Sequence, residues 1–166
     1  MNNSNDIIVT FKPISSFKKG IIQKILKASY QDFFIYFPEQ RKNQYLQWEQ
    51  EEEEAFSNPI VGNHALITCI NDKPVGYFSW DDRKFPTGLI GQNCIIPQYQ
   101  NQGLGKKQIS VIEEKFKKIK FSEINVVTGN HDFFMPAQKM YLSCGFKQKR
   151  IFTDDQFDKI EFFKII

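Results

Sequence analysis

Cysteine is scarce and poorly spaced for metal or disulfide chemistry. The three present in 166 residues, Cys69, Cys94 and Cys144, form no Cys-x-x-Cys pair and no bridging framework. That argues against a structural zinc site and points to reduced thiols in a cytoplasmic setting. Long apolar runs are missing too: nowhere do eighteen apolar residues follow one another, so a membrane-spanning helix is excluded. The first residues, Met1-Asn-Asn-Ser-Asn-Asp6, lack the basic and apolar regions of a signal peptide, and a cytoplasmic location is expected. Twenty-two Lys and Arg against 19 Asp and Glu leave a net charge of +3. It is spread along the chain without a basic block, which gives nucleic-acid binding no footing. There are only 2 Trp against 17 Phe, and no internal repeat or linker divides the sequence.

What is present suffices for a core. Hydrophobic residues make up 41% and aromatics 15%, enough to exclude disorder as the dominant state. At roughly 150 residues per domain, the length predicts a single domain over residues 1–166. The β-branched run from Asp6 to Ile14, closed by Pro13, reads as a strand. Phe17, Ile21, Ile22, Ile25 and Leu26 then recur at helical spacing after Ser15-Ser16, predicting a capped helix to about Tyr30. A second helix is expected from about Pro38 to Phe56, its polar face crowded with Glu49 and Glu51 to Glu54, and Asn58-Pro59 should stop it. Ala65 to Ile70 and Val75 to Trp80 form a hairpin around Asn71-Asp72-Lys73-Pro74, and Gly88 to Ile96 is the next strand. Ile109, Ile112, Phe116 and Ile119 mark a helix with one buried stripe. Glu123 to Thr128 reads as a fifth strand and Pro136 to Cys144 as a short helix ended by Gly145. Phe146 to Phe152 and Lys159 to Ile165 make two strands around Asp154-Asp155. Hairpins mixed with strand-helix-strand crossovers predict an α/β (α+β) sheet, with the strand ending near Ile96 parallel and adjacent to Glu123 to Thr128.

The segment Cys94-Ile95-Ile96-Pro97-Gln98-Tyr99-Gln100-Asn101-Gln102-Gly103-Leu104-Gly105 joins that strand to the following helix. Small residues at a helix start leave backbone N–H groups uncovered, and with the helix dipole these form an anion site suited to phosphate. The segment lacks the third glycine of a dinucleotide fingerprint and the Gly-Lys-Ser/Thr of a Walker loop. A nucleoside-triphosphate hydrolase is therefore disfavoured. On the residues alone, a glycine-rich turn that merely joins strand to helix stays open.

The segment resembles the acetyl-CoA pyrophosphate loop of the GNAT superfamily of acyl-CoA-dependent N-acyltransferases, a Gln/Arg-x-x-Gly-x-Gly/Ala pattern after a strand ending in aliphatic-x-Pro. Here Ile95-Ile96-Pro97 precedes Gln100-Asn101-Gln102-Gly103-Leu104-Gly105. A second family feature, Ala137-x-x-x-Tyr141-x-x-x-Gly145-Phe146, follows at the family's usual distance. The resemblance implies a single-domain GNAT-like mixed β-sheet of six to seven strands flanked by about four helices. It implies acetyl-CoA as cosubstrate, no metal, and transfer to a primary amine of a small molecule or peptide. Backbone groups of Asn93, Cys94, Ile95 and Ile96 would hold the pantetheine arm between splayed strands. Gln100 to Gly105 with Lys106 would hold the pyrophosphate, and Asn130 corresponds loosely to a family asparagine near the pantetheine.

By family position Tyr141 would protonate the CoA sulfur, although Ala137, Met140, Tyr141 and Cys144 also make a helical stripe that suits a core residue. Many relatives carry an acid on or beside the splayed strand; Gly88 to Ile96 offers only Gln92 and Asn93. The base then falls to His131, whose imidazole titrates near the useful range, to Asp81 or Asp82, or to a water chain, while His64 reads as structural. The glutamates Glu51 to Glu54 read as a solvated helix face that also suits attraction of a cationic amine. Phe33, Phe34, Tyr36, Phe37 and Tyr45 exceed one buried stripe, so some should line an acceptor pocket or a homodimer face. A catalytically silent CoA-binding regulatory or scaffolding module is the competing function.

Overall fold

The computed structural model describes residues 7–154 and 157–166. Its strands are β1 (Val9–Pro13), β2 (Ala65–Ile70), β3 (Lys73–Asp81), β4 (Thr87–Ile95), β5 (Glu123–Gly129), β6 (Lys147–Thr153) and β7 (Asp158–Ile165). Its helices are α1 (Ile21–Ser29), α2 (Phe33–Tyr36), α3 (Arg41–Ser57), α4 (Pro59–Gly62), α5 (Leu104–Lys118) and α6 (Met135–Ser143). The seven strands form one mixed sheet in the order β1-β2-β3-β4-β5-β7-β6, the upper end of the expected strand number. Asp6, expected to open the first strand, and Asp155, expected in the last turn, lie outside the described residues.

Six helices stand where about four were expected, because two single turns, α2 and α4, were not anticipated. Asn58-Pro59 ends α3 as expected and then starts α4: the Asn58 side chain accepts from the Ile60 N–H at 3.0 Å, and Pro59 occupies the first turn, where its missing N–H costs nothing. The start of α1 also differs. Ser15 and Ser16 lie in a 3-10 turn, and the helix begins only at Ile21, behind Gly20 at φ +107. Its cap comes from a distant element. Fully buried Glu52 of α3 accepts from Gly20 N at 2.6 Å, Ile22 N at 3.0 Å and Gln23 Nε2 at 2.9 Å.

Strand alternation divides the core between the two faces of the sheet. Tyr77 and Cys94 pack with Ile22, Leu26, Phe33 and Trp48 beneath α1 and α3, whereas the adjacent Phe78 packs with Ile109, Ile112 and Phe116 of α5 on the other side.

One feature of the sheet positions the site. The β4 and β5 strands are parallel neighbours, as the crossover predicts, but they pair only from Thr87↔Glu123 to Ile90↔Val126. Beyond that point β4 stays with β3 and β5 stays with β7. A bulge lies where they part: Phe78 opposes Asn93 and Trp80 opposes Ile90, so β4 carries one extra residue against Ser79. The Ser79 hydroxyl accepts the Gln92 N–H at 2.9 Å, and a Cβ on Gly91 would stand 2.6 Å from that same oxygen. The bulge bends β4 away from β5 and leaves an opening in the sheet.

Candidate active site

On the α5 side the opening widens into a cavity of about 360 Å³. The end of β4 (Asn93, Cys94, Ile95), the turn into α5 (Gln100, Asn101 and Gly103 to Lys106) and α6 (Ala137, Met140, Tyr141) line it. Gly103 takes φ +75 at the α5 N-cap with no side-chain cap, so the first N–H groups of a 15-residue helix remain uncapped beside the cavity. Gly105 serves close packing instead, since a Cβ there would come within 2.6 Å of Met140 Sδ. The floor is fixed by amides. Asn93 Nδ2 donates to Gln108 Oε1 at 2.7 Å, and fully buried Gln108 donates to Thr68 Oγ1 at 2.8 Å and to the Cys94 carbonyl at 3.3 Å. This network ties β2, β4 and α5 together, and Gln100 Nε2 closes the turn on the Ile95 carbonyl at 2.8 Å.

Most of the expected cofactor residues therefore meet in one place. Ile96 does not line this cavity; it packs into the core, with its N–H on the Val75 carbonyl. Gln102 is exposed, and so is Asn130, whose N–H donates to Asp158 O at 2.7 Å. Tyr141 is 4% exposed and lines the cavity. Its ring packs on Phe146 and Phe162, and its hydroxyl has no hydrogen-bond partner among the described residues. Burial pushes its phenol well above the ordinary range. Burial likewise pushes the Cys94 thiol up to about 12, which keeps it protonated and poorly nucleophilic.

A second cavity, of about 590 Å³, lies on the α3 side. Tyr30, Gly91, Val127, Thr128 and Phe134 line both cavities, so the two meet where the strands part. The aromatic excess is visible here. Tyr30, Phe33 and Trp48 with Phe134 and Phe157 form the apolar wall, while Tyr36 faces solvent.

The acid absent from β4 arrives from another element. Glu51 of α3 accepts from Tyr77 Oη at 2.9 Å and from Gln92 Nε2 at 3.2 Å, and Gln92 lines the second cavity. Burial raises its carboxyl above the usual carboxylate range, and nearby Glu54 adds to the rise. A run of four glutamates reads as a solvated face, and Glu53 and Glu54 do face solvent. The signal for the other two is spacing: Glu51 and Glu52 stand three and four residues after buried Trp48, within reach of its stripe.

The remaining candidate bases lie elsewhere. His131 packs at a tilt on Tyr36 and edge-to-face on Phe37, its Nδ1 accepts the Phe133 N–H at 3.1 Å, and it lines neither cavity. Asp81 is held down to about 2 by the Arg83 guanidinium, and Asp82 pairs with His64 Nε2 at 2.8 Å.

Comparison with known proteins agrees with this architecture. A Desulfovibrio desulfuricans protein assigned to the GNAT acetyltransferases superposes with a TM-score of 0.76 at 13% identity, covering 96% of this chain and 98% of that one. The PaiA N-acetyltransferase of Thermoplasma acidophilum, solved with coenzyme A, gives 0.69 at 15% identity over 96% and 99% of the chains. An Elizabethkingia anophelis GNAT acetyltransferase with acetyl-CoA bound gives 0.53 at 16% identity over 66% and 84%. No curated protein matches in sequence. The sequence model of the acetyltransferase (GNAT) family matches residues 22–146, a span that holds the parted strands, the glycine turn and Tyr141, and the chain belongs to that family.

Proposed function

We propose that the chain is an acetyl-CoA-dependent N-acetyltransferase that acetylates a primary amine of a small molecule or peptide by direct attack in a ternary complex. The observation that carries this reading is the meeting of two cavities at Gly91 and Val127, one flanked by an uncapped helix start and the other lined by Gln92, which donates to the half-buried carboxylate of Glu51 behind it. In this reading Gln100 to Lys106 take the pyrophosphate on free N–H groups, and Asn93 to Ile95 offer their backbone to the pantetheine arm. Bound acetyl-CoA supplies the thioester electrophile. Confining amine and thioester at one junction accounts for much of the rate gain.

Two protons then need a source and a sink. Tyr141 supplies the first: its raised pKa keeps the hydroxyl protonated, and its oxygen has no competing partner among the described residues. We assign the second to Glu51, reached through solvent in the α3-side cavity. His131 is the weaker candidate because its Nδ1 lone pair is occupied by the Phe133 N–H, so the neutral ring carries its proton on Nε2 and has no free lone pair. The test is CoA release from acetyl-CoA against amino acids, aminoglycosides, polyamines and peptides. At least one amine should accelerate release above the rate in water. Tight acetyl-CoA binding that no amine turns into release would favour a silent CoA-binding module.

A further inference from the structure

One phenol at the junction is left without a task. Tyr30 closes α1, its N–H on the Leu26 carbonyl at 3.0 Å, and it lines both cavities. Packing from two elements holds its ring where the strands part: Trp48 of α3 at 5.5 Å between ring centres and Phe133, which follows β5, at 6.1 Å. The hydroxyl has no hydrogen-bond partner among the described residues. Unlike the Oγ of neighbouring Ser29 it is not sealed in the core, so it opens on the cavities that the residue lines. Tyr77, by contrast, has committed its hydroxyl to Glu51.

The surroundings fix what this hydroxyl can do. Burial pushes the phenol well above its ordinary range, and Cys94 of β4, Tyr141 of α6 and Glu51 of α3 each add to the rise. It therefore keeps its proton and remains a donor, within electrostatic reach of both the acid and the base assigned above. Acyl transfer from a thioester to an amine develops charge at three atoms: nitrogen, sulfur and the carbonyl oxygen. Glu51 and Tyr141 serve the first two. For the oxygen, a donor already held by packing is the effective kind, because it need not reorganise as the charge appears.

We propose that Tyr30 is a further catalytic residue, whose hydroxyl donates a hydrogen bond to the thioester carbonyl oxygen of acetyl-CoA. As the C–N bond forms, the carbonyl π pair moves onto oxygen and the Tyr30 hydrogen bond tightens without transfer of its proton. The pair returns as the C–S bond breaks, the sulfur takes its proton from Tyr141, and the amine proton passes to Glu51. The contact rests on acetyl-CoA binding in this cavity, and its effect on rate rests on the transferase reading.

The experiment is isotope-edited infrared spectroscopy of acetyl-CoA labelled with carbon-13 at the thioester carbonyl, bound to the full chain. A hydrogen bond weakens the C=O bond, so the band should move to higher frequency in Tyr30→Phe, which keeps the ring and its packing, while acetyl-CoA affinity holds. Amine-dependent CoA release at saturating acetyl-CoA should fall by about 10²- to 10³-fold in that variant, the usual scale for losing one oxyanion donor. A second replacement works in the opposite direction. With 3-fluorotyrosine at position 30, a more acidic phenol of almost the same shape, the band should move to lower frequency; this replacement decides alone should Tyr30→Phe not fold. A band that neither replacement moves, or an acetyl-CoA affinity lost together with the ring contacts, would overturn the proposal and make Tyr30 a wall residue. The two readings fail separately. An unmoved band with amine-dependent CoA release in the parent keeps the transferase and sinks the Tyr30 contact, a moved band without release from any amine does the reverse, and no acetyl-CoA binding sinks both.

Discussion

At Glu51 a half-buried carboxylate is held between Tyr77 and Gln92, and burial raises its pKa. The folded chain therefore binds this proton more tightly than the unfolded chain does. Its stabilising contribution is complete below the unfolded value of about 4.5 and is lost as pH rises through the higher folded value. At neutral pH the charge destabilises the fold, so Glu51→Gln should be at least as stable as the parent in denaturant titrations. Its turnover should nevertheless fall by about 10²-fold or more, with the acid limb of the pH–rate profile flattened. A Glu51→Gln protein that is less stable but fully active would make Glu51 a structural residue. Tyr141→Phe makes the complementary case. Losing an unpartnered hydroxyl should change stability by less than about 1 kcal/mol, while turnover drops by about 10²-fold and acetyl-CoA affinity holds. Parent-like turnover would return Tyr141 to the core and leave the sulfur to water. Single residues were the hardest features to read in the sequence. Tyr141 and the glycine turn stood out because motif and spacing are local, whereas Glu51 was hidden in a charge run. Its role depends on Tyr77 and Gln92, distant in sequence and adjacent only in the fold.

The elements were far more legible. Periodicity placed every strand within about three residues, because alternation and helical spacing are local consequences of which face is buried. What it could not place were ends set by tertiary contacts. The start of α1 is decided by Glu52, thirty-two residues from Gly20, and not by the nearby serines. Glu52→Ala should strand the Gly20 and Ile22 N–H groups and the Gln23 amide, lowering stability by about 2–4 kcal/mol. A thermal midpoint unchanged from the parent would show that water replaces this cap. The start of α5 carries a different prediction, since a Cβ at Gly103 meets nothing within 4 Å although φ is +75. Gly103→Val should still fold, at a strain cost of about 1–2 kcal/mol, and its side chain should crowd the uncapped N–H groups. Acetyl-CoA affinity should fall at least about tenfold by calorimetry. Unchanged affinity in the folded variant would remove the phosphate assignment.

Across the whole molecule the sheet behaves as two half-sheets, β1 to β4 and β5 to β7, joined through four parallel residue pairs. The adjacency of β4 and β5 followed from the crossover, but the point of parting did not. It depends on Ser79 meeting Gly91 across the bulge, a contact between strands that no periodicity encodes. Away from that seam the halves are held by aromatic packing: the Phe33 ring of α2 makes tilted contacts with Phe133, Phe134 and Phe157 from the second half. A ligand seated between β4, α5 and α6 would join the halves a second time. Acetyl-CoA at one hundred times its dissociation constant should then raise the unfolding free energy by about 2.7 kcal/mol, the mass-action value for a ligand bound only by the folded state. Hydrogen exchange tests the geometry as well as the energy. Below the global limit, local opening of the parted strands should dominate exchange in the free protein. Bound acetyl-CoA should slow it at Asn93 to Ile95 on one side and at Val127 to Gly129 and α6 on the other. Protection confined to β4 and the start of α5 would mean that the cofactor lies against one half-sheet only. Tyr141, carried by α6 in the second half, would then be out of reach of the sulfur.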